Sequence, residues 1–168
     1  MKQLLLFLLM SYSALAQKPV TTTQSFTVSG DVKIEKTISI SEFIQWKEHT
    51  IGDVTITNHL GEVKGVARAM KGVLLKDVLQ SVELKAESPK VFSEWYIVCR
   101  ATDGYKVVYS WNEIFNSKIG ESIYLVTEKE GKRGMNMTES ILMISTEDYK
   151  TGRRFVKSLA FIEFRRAN

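Results

Sequence analysis

The chain has 168 residues, 44% of them hydrophobic and 25% charged, with 23 Lys and Arg against 19 Asp and Glu for a net charge of +4. That composition is ordinary for a globular protein, and so mild a basic excess, without a dense basic stripe interleaved with aromatics, argues against a nucleic-acid partner. Cys99 is the one cysteine and His49 and His59 the two histidines, which excludes an internal disulfide and a Cys/His zinc site by count.

At the N-terminus, Lys2, an apolar run over residues 4–10 and the small-x-small pattern Ala14-Leu15-Ala16 come in the order of a cleavable signal peptide. The run is far shorter than the ~20 residues a membrane-spanning helix needs, and no cysteine sits at the cleavage point to carry a lipid. The expectation is a signal peptide at residues 1–16, a polar, Thr-rich tether at 17–25 and one domain at 26–166. The protein is then exported, to a periplasm or the outside, with a mature N-terminus at Gln17 and no integral membrane span.

Phe26 and Val28 alternate with polar residues, Gly30-Asp31 follow, and Val32 and Ile34 alternate again; this is a strand pair, or one strand with a turn. Ser39-x-x-Glu42 has the form of a capping box and predicts a short helix over residues 40–48. Residues 53–57 are β-branched and strand-like, residues 61–72 are glycine-spaced and irregular, and Leu74, Leu75, Val78, Leu79 and Val82 predict an amphipathic helix over 73–82. Residues 94–101 form a strong strand, Asp103-Gly104 a tight turn, and 105–109 the returning strand. Ser110-x-x-Glu113 opens a third helix through Phe115. Two further strands at 122–127 and 141–145, an exposed loop at 131–134 and a last strand-like run at 155–164 complete the chain, with Arg165 and Arg166 read as a frayed tail. Cys99 alternates with Trp95 and Ile97 on one strand face, which predicts a buried, inert thiol. Trp46, Trp95 and Trp111 read as core or rim residues. The fold class is α+β: a mixed β-sheet or small barrel with three short helices lodged between strands.

These pieces, in this order, resemble the molybdopterin-binding domain of the sulfite oxidase family. The resemblance rests on FTVSGDV at 26–32, ISISEF at 38–43, VTIT at 54–57, KGVLLKDVL at 71–79, ATDGYKVVYSWNEIF at 101–115 and GRRFVKSLAFIEF at 152–164. It implies a sulfite-oxidase-like fold and a cofactor cleft bordered by Asn58, His59, Asp103, Tyr105, Arg153, Arg154 and Lys157. Two departures bear on function. The family's molybdenum-ligating cysteine follows the VTxx strand, and here that place is Asn58, whose amide oxygen is a poor substitute for a soft thiolate. Residues 138–146, TESILMIST, lack the proline and arginine that the family carries there.

The reading that follows is an exported, degenerate member with no catalytic and no metal-ligating residue. It binds a small anionic ligand or a partner protein and expects no cofactor. The alternative is an active molybdopterin-dependent oxidoreductase whose molybdenum is held by the pterin dithiolene and a non-cysteine ligand. Residue by residue, Asp103-Gly104-Tyr105 also reads as a plain hairpin turn, and Arg153, Arg154 and Lys157 as a solvated charged turn.

Overall fold

The computed structural model describes residues 21–167. The signal-peptide reading falls on residues outside this range.

Among these described residues ten strands form two sheets. The first contains β1 (Ser25–Gly30), β2 (Lys36–Ser39), β5 (Trp95–Ala101), β6 (Lys106–Ser110) and β10 (Leu159–Arg166), in the order β2-β1-β10-β5-β6. The β1–β10 pair is parallel and its other pairs antiparallel, so this sheet is mixed. The second sheet runs β3 (Glu48–Thr57), β4 (Val63–Leu74), β7 (Ile123–Lys129) and β8 (Lys132–Arg133), with β9 (Met143–Ser145) pairing β7 beside β8. Three short α-helices lie between strands: α1 (Ile40–Phe43), α2 (Leu75–Leu79) and α3 (Trp111–Phe115). The α+β class and the three helices are as the sequence predicts; the sheet, expected as one sheet or a barrel, is two.

One cluster of buried apolar side chains joins them, with Phe26 and Val28 of β1, Ile97 and Cys99 of β5 and Ile162 of β10 packed toward Val73 of β4 and Leu125 of β7. Strict alternation along β5 puts Trp95, Ile97, Cys99 and Ala101 inside, the period-2 pattern of a strand with one buried face.

Several boundaries differ from the sequence reading. α1 ends at Phe43, although Ile44, Gln45 and Trp46 still donate back to Ile40, Glu42 and Phe43. Glu48 has left the helix for β3, where the Thr127 hydroxyl donates to its carboxylate at 2.6 Å and Arg133 at 2.7 Å. The glycine-spaced stretch 61–72 is mostly strand β4. A Cβ on Gly72 would lie 2.7 Å from the Leu125 carbonyl oxygen, so that glycine serves close strand approach, not a loop. Val73 and Leu74 end β4, which shortens α2 to Leu75–Leu79. At the C-terminus Arg165 and Arg166 belong to β10, not to a frayed tail: Arg166 N donates to Asp31 at 2.9 Å and its guanidinium meets Glu94 and Glu87. Residues 21–24, the end of the stretch read as a tether, lie against the body. Thr23 N donates to the Ser140 carbonyl at 2.7 Å, and Ile141 N donates to the Thr23 hydroxyl at 2.8 Å.

Candidate functional site

Three loops that the sequence singles out meet at one place. They are the β3–β4 turn with Asn58 and His59, the β5–β6 turn with Asp103 and Tyr105, and the 3₁₀ turn Thr151–Arg154 ahead of β10. Gly152 is the hinge of this meeting: a Cβ there would sit 2.0 Å from the Thr57 carbonyl oxygen. Thr151 fastens the turn to β3 by donating to the Thr55 carbonyl at 2.6 Å and accepting from Thr57 N at 3.1 Å. Lys150 Nζ donates to the His59 carbonyl at 2.8 Å, and the Tyr105 hydroxyl to the Arg153 carbonyl at 2.6 Å. Burial raises the Tyr105 pKa; Arg153 opposes and Asp103 adds to the rise, so the phenol keeps the proton it donates.

The expected site residues fare differently. Asn58 Oδ1 accepts from Leu60 N at 2.9 Å and Glu62 N at 3.0 Å, and its Nδ2 donates to Glu62 Oε2 at 2.8 Å. Its whole amide is engaged in its own turn, the usual work of an Asx residue. His59 is exposed. Asp103 Oδ1 accepts from Tyr105 N at 2.9 Å, and Gly104 takes φ 89°, a conformation glycine adopts without strain. The hairpin-turn reading of Asp103-Gly104 therefore describes the local geometry.

The three cations part company. Arg154 turns inward: its Nε donates to Asp148 Oδ2 at 2.7 Å, its Nη2 to Asp148 Oδ1, and its Nη1 to Glu113 Oε1 at 3.2 Å. Its guanidinium stacks 4.5 Å from the centroid of the buried Tyr109 ring. The Asp148 hydrogen bonds raise its pKa, partly against burial. Lys157 pairs with Glu139, which also takes Lys129 at 3.4 Å. Burial alone would raise the Glu139 pKa, but the two lysines hold it below the ordinary value. Arg153 is exposed and makes no ion pair among the described residues. Asp148 and Glu113 are thus the site's unforeseen members, and Glu139 is the unforeseen partner of Lys157. Glu113 was legible only as a capping residue, a role it keeps at 2.7 Å from Ser110 N. Asp148 had one signal, an acid six residues before Arg154.

Molybdopterin does not fit the side chains present here. The position of the family's thiolate holds an amide already satisfied by its own turn, and two of the three cations already bind carboxylates of this chain. Cys99 offers no substitute: it is fully buried on β5 and burial pushes its thiol pKa up to about 12, whereas a metal takes the thiolate. Among the described residues no group of three or more His, Cys, Asp and Glu is placed to hold a metal ion, and no helix is long and apolar enough to cross a membrane.

No known family model matches the chain, and no curated protein matches it. Among solved structures it is similar to the crystal structure of the sulfane dehydrogenase SoxCD from Paracoccus pantotrophus, with a TM-score of 0.56 at 11% identity. The likeness covers 83% of this chain but 37% of that one, so this chain spans little more than a third of its length. What the two share is the α+β fold.

Proposed function

We propose that this chain is an exported, catalytically degenerate relative of the sulfite-oxidase-like oxidoreductases. The place that the resemblance assigns to molybdopterin serves instead as a binding surface without redox chemistry. Its ligand is an anionic group, carried by a small molecule or a partner protein and met at the rim by Arg153. One observation carries the reading: two of the three cations that the resemblance places at the cofactor are hydrogen-bonded to the chain's own carboxylates, Arg154 to Asp148 and Glu113 and Lys157 to Glu139. Charges left unpaired in a partly buried site are costly, and here internal acids stand where a bound anion would. The shared fold with a dehydrogenase supports descent from an oxidoreductase, and Asn58 in place of the thiolate supports loss of the metal.

The test is protein recovered from the exported fraction of a host that makes the pterin cofactor. Intact mass should place the N-terminus at Gln17, and metal analysis with pterin fluorescence should find molybdenum far below one per chain. Retained Met1 would reject export. Molybdenum near one per chain would reject degeneracy and establish the oxidoreductase alternative.

A further inference from the structure

A second concavity lies apart from the converging loops and is lined by none of their seven candidate residues. It is a cavity of about 430 Å³ between α3 and the connector that follows α2. The connector is tied across the first sheet's end by Lys33 N to the Glu83 carbonyl at 2.8 Å and Lys85 N to the Asp31 carbonyl at 2.9 Å. It leads into a 3₁₀ turn, Pro89–Glu94, capped by the Ser88 hydroxyl, which accepts from Lys90 N. This turn brings Phe92 onto Trp111 of α3, with ring centroids 5.0 Å apart, and Trp111 stands 5.2 Å from Phe115 one helical turn on.

Phe92, Trp111 and Phe115 all line the cavity and all remain only half-buried. Three contiguous aromatic rings, inclined 50° and 33° to one another, line a hollow shared with the buried Leu84 and Phe164 and make an aromatic wall. The mouth is charged but already neutralised. Lys33 meets Glu83 at 2.8 Å, and Glu87 meets Arg166 at 2.9 Å. Among the described residues that line the cavity, no cation is left over for an acid and no acid for a base.

We propose that this cavity binds an uncharged, planar aromatic molecule of two or three fused rings, held against the Phe92, Trp111 and Phe115 rings with its polar edge at the mouth. The apolar lining with few polar groups is the ordinary character of a small-molecule site, and the neutralised mouth selects against charged relatives of the same shape. This site goes beyond the anion-binding reading above and does not depend on it.

The probe is 2-naphthol, titrated into the purified chain by calorimetry and by quenching of tryptophan emission, with 2-naphthoate as the charged analogue. Wild type should bind 2-naphthol saturably. The carboxylate should bind at least about tenfold more weakly, because its burial finds no free cation. Ala86→Phe fills the hollow from the connector side and keeps every ring of the wall; it should weaken 2-naphthol by at least about tenfold at an unchanged melting temperature. If that variant loses its cooperative melt, Trp111→Leu decides, with the same expected weakening. Absence of saturable binding to wild type would overturn the proposal. So would naphthoate binding as tightly as naphthol, or affinity unmoved in the deciding folded variant.

Discussion

Replacing Asp148 with alanine tests whether the inner cleft is held shut by the chain's own charges. The substitution removes both oxygens that the Arg154 fork grips, and takes the acceptor from the buried Ser145 hydroxyl, which donates to Asp148 at 3.1 Å. The Arg154 and Asp148 side chains are 21% and 15% exposed. Breaking a fully buried pair costs about 3–5 kcal/mol and breaking an exposed one about 0–1. Glu113 remains as a second partner for Arg154, so the expected loss is about 2 kcal/mol, a fall of about 4–8 °C in melting temperature for a domain of this size. Glu83→Ala is the control: it breaks a pair whose side chains are 58% and 72% exposed, where solvent screens the attraction, and should cost far less. Urea unfolding of both variants gives the comparison. Formate at millimolar concentration should then recover part of the Asp148→Ala loss, since an ion that binds only the folded state stabilises it, and should do little for wild type. If Asp148→Ala is no more costly than Glu83→Ala, or if formate stabilises wild type equally, the cleft is not closed by its own charges and the argument fails.

Two further outcomes follow from the packing. Cys99, fully buried with its pKa raised to about 12, should react with a disulfide reagent at pH 8 far more slowly in native than in urea-unfolded protein, and Cys99→Ser should cost about 1–3 kcal/mol; equal rates would contradict its burial. Gly152→Ala would press a Cβ to 2.0 Å from the Thr57 carbonyl oxygen, backbone against side chain with no flexible group to give way; it should lose more than about 2 kcal/mol and free the 151–154 turn from β3, seen as faster amide exchange at Thr57, whose N–H that turn now accepts.

Local pattern explains which elements could be foreseen. The alternation of Trp95, Ile97, Cys99 and Ala101 and the Ser110–Glu113 capping box each lie within a few residues, and both elements stand where that pattern puts them. β4 was hidden because its glycines answer to a neighbour distant in sequence: Gly72 is small for the sake of Leu125. Glu48 is pulled from helix to strand by Thr127 and Arg133, partners about eighty residues away. The candidate site divides in the same manner. Its backbone convergence was legible through the family resemblance, but its electrostatic state was not, because that state depends on whether Asp148, Glu113 and Glu139 reach the cations first.

That electrostatic state bears on what the departure at Asn58 means. On the proposed reading, a lone exchange of thiolate for amide among free cations would leave a pterin phosphate a place to bind and the metal merely one ligand short. Here the amide oxygen is occupied by two backbone N–H groups, and the inner arginine and lysine by carboxylates. A cofactor needing those cations would have to break the Asp148–Arg154–Glu113 and Glu139–Lys157 pairs. Glu113 also closes the cap of α3, so that helix is tied to the shut cleft at Arg154 and carries Trp111 and Phe115 to the aromatic wall of the second cavity. Evicting Glu113 from Arg154 would disturb the very helix on which that wall stands. The two proposed sites therefore share α3, and the aromatic lining is best preserved when Glu113 keeps Arg154.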